Sequence, residues 1–327
     1  MSGASPRVSV VIPVLNRRAL LRRTLDALAE QTSEDFEVVV VDDGSRDGSA
    51  DEAARDAEVG RRVRVLQGPG TGSMAARMHG VLASEAEFVA FTDSDCEPAP
   101  GWLAAGVAAL DAGNDVVNGR TVPARPPGPL ERTTASGPEG LFPTCNMFYR
   151  RAAFLRAGGF DPTVADRVGL HPGRKGRRLG MGEDTVLGWR VRRAGRWAYE
   201  PRAFVRHHVF PPDRVDTLSR AWMVTIFPAL VREVPELCDG PLIRHGFQLG
   251  ARSRGPLYVL ALATLARRPF LAGASAGWWV RMRIEDLRVQ PGSRAQKLRA
   301  LPFELAVDVV SATALVVGSV RAKRIVL

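Results

Sequence analysis

Cysteine is scarce. The 327-residue chain holds three, Cys96, Cys145 and Cys238, far apart and in no CxxC pair. That fits a reducing compartment and argues against a thiolate metal site. Aromatics make up 7% of residues, and the interleaved aromatics of an RNA-recognition module are absent, so no nucleic-acid partner is expected. The opening MSGASPRVSVVIPV has no basic stretch leading into a long apolar one, so no secretory signal is expected. Long apolar runs are missing too. PLYVLALATLA (256–266) stops at 11 residues, and FELAVDVVSATALVVGSV (303–320) is interrupted by Glu304 and Asp308. A spanning helix wants ~20 uninterrupted apolar residues, so 303–320 is expected to be a core or surface-lying helix. Internal repeats and extended low-complexity tracts are absent as well.

Acid is depleted in one place only. The chain has 45 Lys/Arg against 35 Asp/Glu, and residues 241–327 alone hold 14 against 4. The first 240 residues are therefore neutral. A basic C-terminal quarter suits nucleic acid, anionic lipid or an acidic substrate, and its apolar helices add the expectation of an anionic membrane.

What is present is a globular composition, 45% hydrophobic and 24% charged. RVSVVIPVLN (7–16), EVVVVDDGS (37–45), RRVRVLQG (61–68) and EFVAFTDSD (87–95) read as buried strands. Between them, residues 18–31 carry Leu20, Leu21, Leu25 and Leu28 at helical spacing, and SMAARMHGVLAS (73–84) follows a Gly-rich turn. Near-continuous apolar strands alternating with helices predict a parallel sheet covered on both faces, with ligands at the carboxyl strand ends. Asn16, Asp42-Asp43 and Asp93-Ser94-Asp95 all follow strand runs, so one edge should gather them. Acids converging on a crevice make sense around a divalent cation bound to phosphates.

The middle of the chain is less regular. Residues 120–140 are rich in Pro, Gly and Ser and read as a surface loop. Residues 166–184 are Gly-rich and basic, and Arg174–Arg178 could order over an anionic ligand. EDTVLGWRVRRAG (183–195) reads as a helix with Glu183 and Asp184 in its first turn. Beyond 215 the pattern is helical, and Trp278-Trp279 beside Arg281 and Arg283 suits a membrane interface, a core or a dimer face.

Five segments in order resemble glycosyltransferase family 2: SVVIPVLNRRALLRRTLDALAEQTSEDFEVVVVDDGSRDGS, GPGTGSMAARMHG, FTDSD, NMFYRRAAFLRAGGFD and GEDTVLGWRVRRAG. The resemblance covers roughly residues 7–210. It implies an α/β GT-A fold: Rossmann-like, a mostly parallel sheet flanked by helices, with a C-terminal helical extension. The expected domains are 1–214, with a nucleotide half of about 1–100 and an acceptor half of about 101–214, and a basic helical region 215–327. The implied activity is inverting transfer of a sugar from a nucleotide-diphosphate sugar, UDP-linked by preference, to a hydroxyl of a glycan, lipid carrier or metabolite.

The resemblance also implies site residues. Asp95, the second acid of a DXD motif, would hold Mn2+ or Mg2+, with His207 or its neighbour His208 completing the site; spacing after Val205 favours His207. Asp93 and Ser94 would sit at the metal-bound diphosphate or ribose. Asp42 or Asp43 would take a hydrogen bond from the base, in a pocket shaped by Pro13 and Asn16. Arg77 would pair with a phosphate, although the family's ARN pattern reads Ala76-Arg77-Met78 here. Asp184 would be the general base, with Glu183 orienting acceptor or loop and Asn146 on the acceptor side. The QxxRW motif of polymerising members is not apparent, so addition of one or a few sugars is expected. The expected location is cytoplasmic, peripheral on the membrane face. Rival readings are a sugar nucleotidyltransferase, disfavoured because Pro13–Arg18 is no Gly-rich phosphate loop, and a non-enzymatic scaffold, disfavoured by intact DSD and ED acids.

Overall fold

The computed structural model describes residues 5–58, 62–164, 171–172, 178–179, 182–239, 243–244, 247–248 and 255–326. Arg174, Lys175 and Arg177, expected to order over a ligand, lie outside them, as does the side chain of Arg178. The chain divides into two compact units. One comprises Met1–Ala124 with Thr134–His208, the other Arg125–Thr133 with Val209–Leu327. The changeover therefore falls at His208, and residues 125–133 group with the second unit.

The first unit is built on one eight-stranded sheet. Its strands are β1 (Val8–Val14), β2 (Phe36–Asp42), β3 (Val63–Gln67), β4 (Phe88–Thr92), β5 (Cys96–Pro98), β6 (Val116–Pro123), β7 (Asn146–Arg150) and, after the two-residue pair β8 (His171–Pro172) and β9 (Arg178–Leu179), β10 (Trp197–His207). The order across the sheet is β3-β2-β1-β4-β7-β6-β10-β5. Pairings β2–β3, β1–β2, β1–β4 and β6–β10 are parallel; β4–β7, β6–β7 and β5–β10 are antiparallel. Only β7 and β5 oppose the common direction, so the sheet is mixed but mostly parallel.

Every residue of β1 is buried, as a central strand covered on both faces requires. Alternate side chains go to opposite faces. Val8, Val10, Ile12 and Val14 join the core cluster with Leu21, Leu25 and Leu28 of α1 (Arg18–Ala29). Val11 faces α3 (Ser73–Leu82), which approaches so closely that a Cβ on Gly80 would lie 2.5 Å from Val11 Cγ1. Pro13 is tolerated in this central strand for a specific reason. Val14 O accepts from Asp43 N on the β2 side, so alternation turns Pro13 toward β4, where pairing has already ended at Val11–Phe91. The other helices of this unit among the described residues are α2 (Ser49–Glu58), α4 (Trp102–Asp111), α5 (Arg151–Arg156) and α6 (Glu183–Ala194).

Asn146 corrects an expectation. It is fully buried, and its side chain is spent inside the sheet rather than on an acceptor surface. Nδ2 donates to Arg120 O (3.0 Å) and Ala203 O (2.9 Å), and Oδ1 accepts from Trp102 Nε1 (2.8 Å). It ties β6, β10 and α4 to the start of β7.

The second unit is helical: α7 (Arg214–Met223), capped by Asp213, then α8 (Phe227–Glu233), α9 (Gly255–Leu265), α10 (Pro269–Val289) and α11 (Arg294–Ala322). A two-residue hairpin, β11 (Ile243–Arg244) with β12 (Phe247–Gln248), precedes α9. Helix α11 starts at a capping box made by Ser293 and Gln296, and extends well beyond the expected 303–320. At 29 residues, with a window of mean hydropathy 1.8, it is long and apolar enough to cross a membrane, and 44% of that window is buried within the protein. The two interrupting acids are buried. Asp308 Oδ2 accepts from Trp279 Nε1 and is ion-paired with Arg283 Nε, both at 3.0 Å. Small residues bring α11 close: a Cβ on Gly318 would lie 2.2 Å from Thr225 O.

Candidate active site at the carboxyl edge of the sheet

The strand directions bring the carboxyl ends of β1, β2, β4, β6 and β10 to one edge, together with the start of β7. At that edge the turn after β2 is heavily bonded. Asp42 Oδ1 accepts from Ser45 N (2.9 Å), while Asp43 Oδ1 and Oδ2 accept from Gly70 N (2.7 Å) and Gly72 N (2.9 Å). Asp43 thus anchors the Gly-rich turn that starts α3. Asn16, at φ 52°, donates its backbone N–H to the Ser45 hydroxyl oxygen (2.9 Å) and accepts from Arg46 N at Oδ1 (2.8 Å). Its left-handed backbone, which Asn tolerates, folds the end of β1 against this turn.

Asp93-Ser94-Asp95 is a tight turn from β4 to β5, closed by Cys96 N donating to Asp93 O (3.1 Å), with Ser94 buried. Strand β5 then pairs with the end of β10, Cys96 opposite His207. That pairing places His207 Nε2 3.6 Å from Asp95 Oδ1. His207 Nδ1 lies 2.8 Å from His208 O. A carbonyl only accepts, so Nδ1 carries the proton and Nε2 is the nitrogen turned to the Asp95 side. His208 contributes its backbone N–H to Asp95 O (2.9 Å) instead. Asp95, Cys96 and His207 bring potential ligand atoms within 4.8 Å of one another. The Cys96 thiol is fully buried, and burial pushes it well up, so it stays protonated. The remaining carboxylate and imidazole are an O,N donor set that fits Mn2+ or Mg2+.

Arg77 departs from expectation. Rather than extending toward a phosphate, it is buried, and its guanidinium is paired with the Asp93 carboxylate. From there it also acts on the two acids at the start of α6, lowering both. Gly182, at φ 91° as only glycine adopts readily, turns the chain into that helix. Asp184 Oδ1 accepts from Thr185 N (2.8 Å). Burial pushes Asp184 up to about 6, against the Thr185 bond and Arg77, with Asp93 adding to the rise. Burial, then Asp184, pushes Glu183 up to about 7. Glu183 Oε2 is buried with no hydrogen-bond partner among the described residues.

Glu183 lies on the wall of a cavity of about 580 Å³, lined also by the 69–72 turn, by α3 through Met74, Met78 and Leu82 with Ser73, Ala75 and His79, and by Phe160 and Pro162. Gly158 and Gly159, both at positive φ, make the turn that delivers Phe160. This apolar wall was legible in principle, since Met74, Met78 and Leu82 fall four apart on one helix face. Tyr149, also unanticipated, is buried with its hydroxyl unpartnered among the described residues and feels the Asp184 charge.

The Glu183 environment makes a stability prediction. Its folded value of about 7 lies above the ordinary 4.5. The stabilising protonated form is retained below pH 4.5 and lost as pH rises through 7. Glu183→Gln is therefore expected to raise stability at pH 8 by about 2–3 kcal/mol and to leave it unchanged at pH 4. Urea denaturation at the two pH values checks this; equal effects at both would remove the burial argument.

Comparison with known proteins agrees with this architecture. Residues 9–163 match the model for glycosyl transferase family 2. Glycosyltransferase AglE of Haloferax volcanii is 37% identical over 123 residues, 36% of this chain and 40% of that protein. The pre-mycofactocin glycosyltransferase of Mycobacterium tuberculosis is 33% identical over 233 residues, 63% of this chain and 44% of that protein. The matches thus span less than half the length of these relatives. Among solved structures, the mannosyltransferase PcManGT from Pyrobaculum calidifontis, in complex with GDP-Man and Mn2+, aligns with 98% of this chain and 88% of its own at TM-score 0.56 and 19% identity. S. aureus TarS 1-349 in complex with UDP aligns with 97% and 92% at TM-score 0.51 and 18% identity. At such identities the structural likeness concerns the fold, which is the GT-A type. Residues 9–163 thus match glycosyl transferase family 2.

Proposed function

We propose that the chain is an inverting glycosyltransferase using a nucleoside-diphosphate sugar. The observation that carries this reading is the grouping of two sets of side chains on one sheet edge: Asp95 with His207, and Glu183-Asp184 with Arg77 and Asp93. Asp95 and His207 would hold a divalent cation. When bound, the cation would neutralise charge on the departing diphosphate. Asp42, whose Oδ1 is held by Ser45 N, would accept a base N–H at Oδ2, uridine being the base we favour. PcManGT with GDP-Man and TarS with UDP make guanosine the alternative.

Asp184 is the base. Its raised value keeps it ionised at neutral pH yet basic enough to take a hydroxyl proton. The acceptor oxygen forms its bond to C1 as the C1–phosphate oxygen bond breaks on the opposite ring face, the proton passes to Asp184, and the anomeric centre inverts. The cavity beside Glu183 would receive the acceptor. Its lining of Met74, Met78, Leu82, Phe160 and Pro162 suits an acceptor with an apolar portion.

The test is a panel of UDP-, GDP- and TDP-sugars, scoring nucleoside diphosphate release with Mn2+, with Mg2+ and with EDTA. Release from a UDP-sugar, abolished by EDTA, is expected. Asp95→Ala should weaken Mn2+ binding about 10–100-fold, comparable to losing a supporting partner at other metal sites. Absence of release from every donor with either cation would overturn the reading.

A further inference from the structure

We infer that the turn joining α9 to α10 is a membrane-docking element that inserts shallowly into a bilayer containing anionic lipid. The two helices form a hairpin. Ser275 Oγ on α10 donates to Pro256 O at the start of α9 (2.6 Å), and Arg268 N closes the intervening turn on Ala263 O (2.8 Å). At the tip, apolar side chains face solvent: Leu262 is 66% exposed, Leu265 81%, Phe270 85% and Leu271 53%. Four large apolar residues, each more than half exposed within ten positions, form a patch that a soluble surface does not ordinarily leave uncovered.

Charge selects what covers it. Arg267 and Arg268 stand between Leu265 and Phe270, both exposed. No Asp or Glu occurs between Asp239 and Glu285, a stretch that carries seven arginines. A hydrophobic tip that carries two exposed arginines, in a stretch of chain without acids, matches an interface of anionic headgroups over acyl chains. Trp278, 56% exposed two turns along α10 from Phe270, is an amphipathic ring of the kind that rests at headgroup level. The depth is shallow because α9 has 11 residues, against the ~20 needed to span. One face of helix α11 is committed to contacts within the helical unit, with Asp308 held by Arg283 and Trp279.

The experiment is vesicle flotation of the purified full chain, with phosphatidylcholine alone and with phosphatidylglycerol added. Binding is expected on the anionic vesicles and to weaken with salt. Arg267→Ala with Arg268→Ala should lower affinity roughly fivefold for each arginine removed. Leu265→Glu with Phe270→Glu should lower it by roughly tenfold or more. Both variants should keep wild-type thermal melting and nucleoside diphosphate release in solution. Equal binding to neutral and anionic vesicles, or a glutamate variant that floats like wild type, overturns the inference. So does light scattering that finds a wild-type dimer made monomeric by the glutamates while flotation is unchanged, since the tip would then bind a second copy.

Discussion

Asp184→Asn is expected to lower kcat by roughly 10²–10⁴, the ordinary contribution of a positioned general base. The substitution keeps the shape and leaves Oδ1 available to Thr185 N, whose bond to Asp184 is 2.8 Å. It removes only the capacity to accept a proton, so the loss should fall on kcat with donor KM little changed. In the wild type, kcat should fall as pH drops through about 6, because the carboxyl is protonated there and an acid cannot act as base. Glu183, at about 7, is coupled to it, so the observed limb belongs to the pair and should lie between about 6 and 7. The Asn variant should lack that limb. A variant that retains wild-type kcat, or keeps the same acid limb, would move the base elsewhere in the site.

Arg77→Met is expected to destabilise the protein by about 3–5 kcal/mol, as when one partner of a buried ion pair is removed. Arg77 is buried, and its pairing with Asp93 places positive charge beside Glu183 and Asp184. Without it three carboxyl groups face one another with no cation between them. Both α6 acids would then titrate higher, since Arg77 lowers each of them. The loss should therefore be greatest at pH 8, where the acids are ionised, and smallest at pH 5, where protonation relieves the repulsion. The acid limb of kcat should move to higher pH. Denaturation at both pH values and a kcat profile of the surviving fold measure this. If Arg77 served the diphosphate instead, the variant would lose donor affinity and keep its stability.

The contrast at Arg77 illustrates what a sequence reaches. Ala76-Arg77-Met78 advertises a helix residue near a phosphate turn. Whether that side chain faces solvent or an acid depends on how closely α3 lies against the sheet, which Gly80 permits by leaving no Cβ between the helix and Val11. Asp43 is similar: Asp-Asp-Gly-Ser reads equally as turn or base contact, and only the folded turn commits both Asp43 oxygens to Gly70 and Gly72.

What the sequence settled by itself is local. Apolar runs fixed β1 to β4, the leucine spacing fixed α1, and acids placed just after strands were bound for the carboxyl edge, because a parallel sheet sends every strand end the same way. The tertiary structure decided the partners. His207 meets Asp95 because β5 pairs antiparallel with β10. Asn146 turns inward because the irregularity of β10 between Glu200 and Phe204 leaves Ala203 O, with Arg120 O of β6, to receive its amide. Asp308 can lie inside a long apolar helix because Arg283 and Trp279 of the preceding helix reach it. Periodicity records which way a side chain faces; it carries no record of the residue waiting there, since strand order and helix approach are properties of the whole chain.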